Sequence, residues 1–462
     1  MPRTKNETEN LTNTIPALDH KLGPIEYRSI DAIKSYGREL RKHPDTLIVK
    51  LMAAIREFGF SLPLLVDEAG TLIVGEARLK AAKRLGMTEI PVITASHWSP
   101  AQVRAYRLAD NKLGELSSWN RDELTIELSE LLEFEEVQIE MLGWEAAEID
   151  LMFEHNDVDG KASEDPADSQ IEAPDAPTSQ LGDLWLLDKH RLACANALEP
   201  EAWKILMEGR TGVMAFVDPP YNVPVSGHVC GLGKVQHAEF AMASGEMSRD
   251  QFTAFNIEWQ AVMLSHLRDG ALAFICMDWR HIGELTTAID ANGLSLINLC
   301  VWNKSNGGMG SLYRSKHELV FVAKKGNAPH INNVELGKHG RYRTNVWDYA
   351  GVNTFSATRM NDLADHPTIK PVALVADAIR DASKPGDIVL DAFLGSGTTM
   401  LAAERTRRVT CGIEIEPGYV DVAIERWERM TGGEAVLSAT GQTYAEVAAE
   451  RAQPSDETDP AA

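Results

Sequence analysis

A carboxylate, two prolines and an aromatic residue follow one another directly after an apolar run. Residues 213–217 indicate a buried strand, and Asp218-Pro219-Pro220-Tyr221 comes next. Prolines fix φ and lack N–H groups, so this corner is stiff and its carbonyls stay outside any strand pairing. A carboxylate, a free carbonyl and a ring face held together suit a planar amine. The alternative is a proline-rich turn that merely ends a core strand.

A glycine loop with the sequence FLGSG lies far downstream, at residues 393–397, between a strand and a helix. The next strand ends at Glu414, 19 residues after Gly395. Glycines let a backbone approach a ligand closely, and an acidic residue at this spacing accepts hydrogen bonds from a ribose. The loop lacks both the nucleoside-triphosphate pattern and the third glycine of a dinucleotide loop. A nucleoside cofactor without a pyrophosphate fits, and S-adenosylmethionine is the common one. The alternative is a structural turn that binds no ligand.

Together these two motifs resemble the amino-methylating DNA methyltransferases, in the order of their β group, where DPPY precedes FxGxG. Three further stretches of the chain match that family: Gly182-Asp183-Leu184-Trp185 with His190-Arg191-Leu192, then His366-Pro367-Thr368-Ile369-Lys370-Pro371, then Gly412-Ile413-Glu414-Ile415-Glu416 followed by Tyr419. The resemblance covers roughly 250 residues, and five motifs in order make it specific. It implies an α/β fold with a Rossmann-like S-adenosylmethionine-dependent methyltransferase domain.

The resemblance also assigns roles to individual residues. The catalytic set is Asp218, Pro219, Pro220 and Tyr221, and the cofactor set is Asp391, Phe393, Gly395, Ser396, Gly397, Thr398, Glu414, Asn196 and Lys370. Asn196 stands where the family often has an acidic residue, and its carbonyl could still accept from the cofactor's adenine amine. Lys370 either reaches the cofactor carboxylate or closes a loop. No metal site is expected, because the chain has no His/Cys cluster with ligand spacing.

The expected chemistry is direct attack by an exocyclic amine on the methyl group. The Asp218 carboxylate and the Pro219 carbonyl would accept the two N–H bonds, and Tyr221 would stack on the flipped base. Carbon-5 methylation of cytosine needs a cysteine that typically follows proline, and none of the five cysteines does. In that family, Asp at the first position of the DPPY motif favours adenine as the target base, and the amine of cytosine is the alternative. Enzymes acting on RNA or protein commonly carry Asn there.

A second resemblance lies near the amino terminus. Residues 74–86, with the sequence VGEARLKAAKRLG, are similar to the GERRxxA box of ParB-like nuclease domains. Ala77 replaces one family arginine, whereas Arg78 remains as a candidate phosphate contact at a helix N-terminus. A DNA-docking or regulatory role is favoured over a second catalytic activity. A ParB-like regulatory protein with an inactive methylase domain is therefore another alternative for the whole chain.

The charge is distributed unevenly, which bears on a nucleic-acid partner. The net charge is −23, but residues 115–175 alone hold 20 acidic and 2 basic residues. Residues 21–114 hold 15 basic and 10 acidic residues, and residues 303–345 hold 8 basic and 2 acidic residues. Local charge decides where a polyanion docks, so double-stranded DNA remains the expected partner. Candidate DNA contacts in the second basic window are Lys304, Arg314, Lys316, Arg341 and Arg343, with a solvated charged face as the alternative.

Composition completes the predicted organisation. The expected domains are a disordered N-terminus (1–20), a smaller α/β ParB-like domain (21–114), an acidic helical extension (115–154), a disordered linker (155–180), the methyltransferase domain (181–433) and a tail (434–462). Strands are predicted at 184–187, 191–194, 213–217, 271–276, 296–302, 318–323, 388–391 and 409–414. No apolar run could span a membrane and no apolar signal core opens the chain, so a cytoplasmic protein is expected. The oligomeric state stays open, a dimer included.

Overall fold

The protein divides into two units, Met1–Glu145 and Ala146–Ala462. The computed structural model describes residues 22–38, 40–131, 143–156, 167, 171, 173–174, 176–223, 245–304, 312–335, 343–349 and 370–452. The predicted N-terminal segment 1–20 lies outside the described residues, and so does the chain after 452. Among the described residues, no helix combines the length and the apolar character that crossing a bilayer requires.

The first unit is built on a four-stranded sheet. Its elements are β1 (Ile25–Ser29), α1 (Asp45–Phe58), β2 (Leu64–Val66), β3 (Leu72–Val74), α2 (Glu76–Arg84), β4 (Glu89–Thr94), α3 (Pro100–Leu113) and α4 (Arg121–Leu131). The strand order is β1-β4-β2-β3, with β2 and β4 parallel. Gly75 begins α2 with φ +109°, where a Cβ would lie 2.4 Å from the side chain of Leu64. Glycine at the start of the ParB-like box is therefore a packing requirement.

The second unit is built on a ten-stranded mixed sheet. Its elements are α5 (Ala146–Asn156), β5 (Leu184–Leu187), β6 (His190–Cys194), α6 (Pro200–Met207), β7 (Gly212–Val217), α7 (Arg249–Ser265), β8 (Leu267–Met277), α8 (Ile282–Ala291), β9 (Ser295–Asn303), β10 (His317–Lys324), β11 (Val346–Asp348), α9 (Val372–Ala382), β12 (Ile388–Asp391), α10 (Thr398–Arg405), β13 (Val409–Glu414), α11 (Pro417–Thr431), β14 (Val436–Leu437) and α12 (Tyr444–Arg451). Each of the eight predicted strands is present, to within a few residues at its ends.

The centre of this sheet is parallel, and antiparallel pairs lie on both sides of that centre. The order is β11-β9-β10-β8-β7-β12-β13-β6-β5-β14. Strands β8, β7, β12, β13 and β6 run parallel, whereas β10 is antiparallel to both β8 and β9. Buried apolar clusters cover both faces, so β7 is buried at every position. A parallel sheet needs both of its faces covered, usually by helices. The parallel centre with an apolar cluster on each face confirms the predicted Rossmann-like α/β fold.

The borders of the second unit differ from the predicted ones in two places. Helix α5, expected in the acidic extension, belongs here, and its Asp150 forms a buried ion pair with Arg408 at 2.5 Å. Strand β14 and helix α12, expected in the tail, continue the unit, since β14 pairs with β5 at the sheet edge. Both differences arise from contacts with residues distant in sequence, which local composition does not reveal.

Candidate active site

Four polar residues lie at or just after the carboxyl ends of adjacent parallel strands. Asp218 follows β7, Asp391 ends β12, Glu414 ends β13, and Asn196 comes two residues after β6. Neighbouring parallel strands end at the same edge of a sheet, and crevices at this edge are where open α/β sheets bind ligands. The structure thus brings together residues from both predicted motifs, which are more than 170 positions apart in the chain.

The DPPY corner is held in place on both sides. Tyr221 donates its hydroxyl hydrogen to Asp218 Oδ1 at 2.6 Å, which ties the ring to the carboxylate. Asn222 comes next in the left-handed region, with φ +52°. Its side-chain oxygen accepts from the N–H groups of Gly245 and Met247, and its amide donates to the Met247 carbonyl. The corner is therefore rigid for reasons beyond its two prolines.

A buried lysine holds the catalytic carboxylate from behind. The Lys370 side chain is 4% exposed, and its Nζ lies 2.6 Å from Asp218 Oδ2 and 2.9 Å from Glu318 Oε2. It also donates to the Tyr221 hydroxyl at 3.2 Å. Glu318, at the start of β10, forms a second ion pair with Lys304, which follows β9. Two carboxylates and two ammonium groups thus form one connected cluster, which we call the catalytic corner together with Tyr221.

The pKa shifts in this corner follow from burial and pairing. Burial alone would lower the pKa of Lys370, but the carboxylates of Asp218 and Glu318 raise it above its usual value. Burial would raise the pKa of Glu318, but Lys370 and Lys304 lower it well below its usual range. Burial and the nearby Asp218 carboxylate raise the pKa of Tyr221. At neutral pH Lys370 and Glu318 are therefore charged and Tyr221 is neutral.

The glycine loop after β12 approaches β13 closely. Gly395 donates its N–H to Glu414 Oε2 at 2.8 Å, and Glu416 donates its N–H to Glu414 Oε1 at 2.9 Å. Gly397 has φ +87°, and a Cβ there would lie 2.9 Å from Ala423 Cβ on α11. Arg426, also on α11, donates to the Ser396 carbonyl at 2.5 Å and to its Oγ at 2.8 Å. Helix α11 thus fixes this loop from behind.

Asp391 is a second buried carboxylate at this edge. It accepts from the Phe393 N–H at 3.0 Å, and burial raises its pKa to about 7. Burial also raises the pKa of Glu414. The ring of Phe393 packs on Phe255 and Trp259 of α7. We call the loop 393–397 with Asp391 and Glu414 the cofactor edge.

The cofactor edge fits S-adenosylmethionine in charge and in donor set. Among the described residues, neither Asp391 nor Glu414 forms an ion pair with a lysine or arginine. Buried carboxylates without a cation suit a ligand that carries positive charge. The Glu414 carboxylate accepts backbone N–H groups on both oxygens, and its two oxygens together have four lone pairs, so it can also accept from a ribose hydroxyl.

The other predicted site residues have defined places. Asn196 accepts the Leu198 N–H at 3.0 Å and shapes the turn after β6. Thr398 begins α10. Lys370, predicted to reach the cofactor or to close a loop, donates to Asp218 Oδ2 at 2.6 Å. Glu318 and Arg426 did not figure in the sequence prediction. One feature of the sequence could have drawn attention to Glu318, since it is one of only two acidic residues in the basic window 303–345.

The predicted DNA contacts fall into two groups. Arg343 is committed to ion pairs with Asp377 and Asp381, and the Arg78 guanidinium donates to the carbonyls of Leu62 and Pro63. These two side chains hold their own units together. Arg314 and Lys316 are exposed before β10, whereas Lys304 is part of the catalytic corner. Arg341 lies outside the described residues.

Comparison with protein families agrees with this geometry. Residues 213–425 match the family model of DNA methylases that modify N6 or N4 amino groups, and residues 20–111 match that of the ParB N-terminal domain. The chain carries a DNA methylase domain preceded by a ParB N-terminal domain. The predicted class of enzyme, an S-adenosylmethionine-dependent DNA amino-methyltransferase, is confirmed.

Individual relatives are similar mainly over the methylase domain. The Type II methyltransferase M2.MboI of Moraxella bovis is 26% identical over 229 residues, 47% of this chain and 81% of that protein. M2.DpnII of Streptococcus pneumoniae is 28% identical over 225 residues, 46% of this chain and 82% of that protein. Among solved structures, the M1.HpyAVI–SAM complex is 23% identical with a TM-score of 0.37, covering 51% of this chain and 98% of that one.

Proposed function

We propose that the methylase domain transfers a methyl group to the exocyclic amine of adenine in double-stranded DNA. The observation that carries this proposal is the position of Asp218. Its side chain is 30% exposed, whereas its partners Lys370 and Glu318 are 4% and 12% exposed. Asp218 is therefore the more exposed of the two carboxylates of the catalytic corner and the one open to an incoming base, directly before the Pro219 carbonyl.

Asp218 and Pro219 prepare the amine for attack. The lone pair of an aromatic amine is delocalised into the ring, which makes the nitrogen a poor nucleophile. Asp218 can still accept one N–H bond, because each carboxylate oxygen has a lone pair beyond those used by Tyr221 and Lys370. The Pro219 carbonyl accepts the second N–H. Together they pull the nitrogen towards tetrahedral geometry and direct its lone pair outwards.

The transfer itself is balanced by one bond formed and one broken. S-adenosylmethionine supplies an activated methyl group on its sulfonium, so the N–C bond forms as the S–C bond breaks. The methylated nitrogen is then positively charged and must lose a proton. Asp218, whose oxygens hold the amine hydrogens, is placed to accept it. Holding the reactants in line can contribute roughly 7–11 kcal/mol to lowering the barrier.

Tyr221 supplies the platform for the flipped base. Its hydroxyl bond to Asp218 orients the ring relative to the carboxylate that reads the amine. Stacking of a base on an aromatic ring is worth about 1–3 kcal/mol. That offsets much of the few kcal/mol needed to unstack the base from the duplex.

The cofactor edge is assigned as follows. Glu414 accepts from the ribose, and Gly395, Ser396 and Gly397 provide the close backbone approach. Asp391, Phe393, Thr398 and Asn196 complete the cofactor set. We assign Lys370 to Asp218 rather than to the cofactor, because both of its described carboxylate partners belong to the catalytic corner.

DNA docking is assigned to the exposed basic residues. Arg314 and Lys316 lie in the segment that leads into β10 and hence towards Glu318, so phosphate contacts there would bring DNA to the catalytic corner. The ParB-like unit would add a second docking surface. We assign the protein to the cytoplasm, in keeping with the four cysteines among the described residues, which are buried and form no disulfide.

The decisive experiment identifies the methylated nucleoside. The full chain is incubated with double-stranded genomic DNA and S-adenosylmethionine carrying a deuterated methyl group, and the digested DNA is analysed by mass spectrometry. We expect labelled 6-methyladenine. Labelled 4-methylcytosine would assign the cytosine amine instead. Absence of any labelled nucleoside despite calorimetrically measured cofactor binding would overturn the proposal.

The matched variants are Asp218→Ala and Asp290→Ala, the latter on the exposed surface of α8. Asp218→Ala should lower the rate by at least about 100-fold and leave cofactor affinity nearly unchanged, because its carboxylate acts on the amine. Asp290→Ala should behave as wild type.

A further inference from the structure

Glu318 links the two lysines of the catalytic corner, because it forms an ion pair with each of them. It lies at the start of β10, where it is paired in register with Trp302 of β9. One of its oxygens lies 2.9 Å from Lys370 Nζ, and the other forms the ion pair with Lys304. Its side chain is 12% exposed. A buried carboxylate with two cationic partners is therefore fixed between rigid strands.

The cluster is electrically balanced only because Glu318 is present. Asp218 and Glu318 carry two negative charges, and Lys370 and Lys304 carry two positive charges. Without Glu318, two ammonium groups would share one carboxylate, Asp218, in a poorly solvated site. Among the described carboxylates, Lys370 would then be paired with Asp218 alone and would compete with the target amine for the oxygens of Asp218. Charges in such surroundings interact more strongly than in water.

The position of Lys370 also depends on Glu318. Lys370 immediately precedes Pro371 and α9, and its ammonium meets Asp218, Tyr221 and Glu318 at once. Asp218 and Tyr221 are neighbours in one corner, so Glu318 is the partner that anchors the ammonium to a different strand. A flexible lysine side chain needs such an anchor to hold one geometry.

We propose that Glu318 is a positioning residue for methyl transfer, acting through Lys370 to hold Asp218 and Tyr221 in the geometry that receives the target amine. This inference rests on the proposed function, which supplies the roles of Asp218 and Tyr221. In this role Glu318 acts on the reaction through its ion pairs and not by contact with base or cofactor. A misplacement of about 1 Å at a reacting group can lower a rate about 100-fold.

The test compares Glu318→Gln, Glu318→Asp and a control, Glu284→Gln. Glu284 lies on α8 in an ion pair with Arg249, and its side chain is 6% exposed, so it matches Glu318 in burial and charge but not in location. Single-turnover methylation of DNA, calorimetric cofactor binding and DNA binding are measured for each protein.

We expect Glu318→Gln to lower the single-turnover rate about 10- to 100-fold while both dissociation constants change less than about threefold. Glu318→Asp keeps the charge but shortens the reach, so its rate should fall only about three- to tenfold. Glu284→Gln should match wild type. A wild-type rate in Glu318→Gln would overturn the inference, as would weaker cofactor binding that accounts for the whole loss.

A second readout does not depend on activity. Lysine reactivity towards an acylating reagent is mapped by mass spectrometry, with Lys204, whose side chain is 74% exposed, as the internal reference. Lys370 should be protected in wild type and in Glu284→Gln, and should become reactive in Glu318→Gln. If no DNA is methylated at all, the proposed function fails, and the protection of Lys370 still decides whether Glu318 anchors it.

Folding of the variants is checked by circular dichroism. If Glu318→Gln does not fold, the same measurements on Glu318→Asp decide the question. A wild-type rate together with full protection of Lys370 in Glu318→Asp would then contradict the positioning role.

Discussion

In the catalytic corner, carboxylates are paired with lysines, whereas along the cofactor edge buried carboxylates accept backbone N–H groups. Asp218 and Glu318 share Lys370, which lies within 2.9 Å of both. Glu414 instead accepts the N–H groups of Gly395 and Glu416. These two ways of holding a carboxylate occur in one sheet, where β12 separates β7 from β13.

The difference shows in the protonation of the two regions. In the corner, the lysines lower the pKa of Glu318 against the effect of burial. At the cofactor edge no lysine or arginine among the described residues pairs with Asp391 or Glu414, and burial raises the pKa of Asp391 to about 7 and that of Glu414 above its usual value. The corner is therefore charge-balanced before any ligand arrives, and the cofactor edge is not.

This contrast matches the ligands that each region is proposed to receive. A neutral amine needs acceptors of fixed position, and a balanced cluster provides them without a strong net field. A cationic cofactor is attracted by carboxylates that lack a counter-ion. In this proposal the catalytic corner recognises the amine, and the cofactor edge recognises the positive charge of the cofactor.

The largest expected effect comes from removing the shared cation of the corner. Lys370→Met removes the described lysine partner of Asp218 and leaves Glu318 with Lys304 alone. Breaking a buried ion pair from one side costs about 3–5 kcal/mol. Urea unfolding should show a loss of that size. Lys204→Met, which changes an exposed lysine, should lose no more than about 0.5 kcal/mol. A similar small loss in Lys370→Met would contradict the role of charge pairing in the corner.

A smaller effect is expected from disturbing the backbone that serves the cofactor edge. Gly397→Ala places a Cβ 2.9 Å from Ala423 Cβ at a φ of +87°. We expect the unfolding free energy to fall by about 1–3 kcal/mol, with weaker cofactor binding, because the loop must shift. Gly283→Ala, where a Cβ meets nothing within 4 Å, is the matched control and should cost nothing. Equal stability of the two variants would show that the loop tolerates movement.

Glu414→Gln tests whether the cofactor edge needs the acceptor capacity of a carboxylate. The amide has one oxygen fewer, so it cannot accept from Gly395, Glu416 and a ribose together. Calorimetry should show a cofactor dissociation constant about tenfold higher, which corresponds to about 1.4 kcal/mol. Glu284→Gln serves as control. Unchanged affinity in Glu414→Gln would remove Glu414 from the ribose site.

The smallest effect is a change in proton binding at Asp391. With a pKa of about 7, this carboxyl is about half protonated at neutral pH. A cationic cofactor favours the carboxylate, so binding should release about half a proton at pH 7 and almost none at pH 9. Calorimetry in two buffers of different ionisation enthalpy measures this release. Asp391→Asn should abolish it, and release that persists in this variant would point to another group.

The same group should also affect stability in the absence of cofactor. Its folded-state pKa is raised, so the folded protein binds the proton more tightly than the unfolded chain does. Its contribution to stability is therefore full below pH about 4 and is lost as pH rises to about 7. Urea unfolding of wild type and Asp391→Asn across this range should show the difference between them changing in that direction.

Much of the active site could be predicted from local sequence. The corner after residues 213–217 and the loop at 393–397 each follow an apolar strand, and strand periodicity and glycine or proline punctuation are local signals. Their order along the chain, DPPY before FxGxG, carried the resemblance to the β group of the amino-methylating DNA methyltransferases. The parallel strands that bring these motifs to one edge follow from the same pattern.

Tertiary structure alone decided which charges meet. Lys370 is 152 residues from Asp218 in the chain, and its contacts with Glu318 depend on where β10 lies beside β8. Arg343 was predicted to contact DNA, yet it is held by Asp377 and Asp381 of α9. The chemical type of a side chain limits which groups it can bind, but strand order and register decide which of those groups lies next to it. The amino-acid sequence thus determined the chemistry available at the strand ends, and the fold determined that lysines balance the catalytic corner while backbone N–H groups hold the cofactor edge.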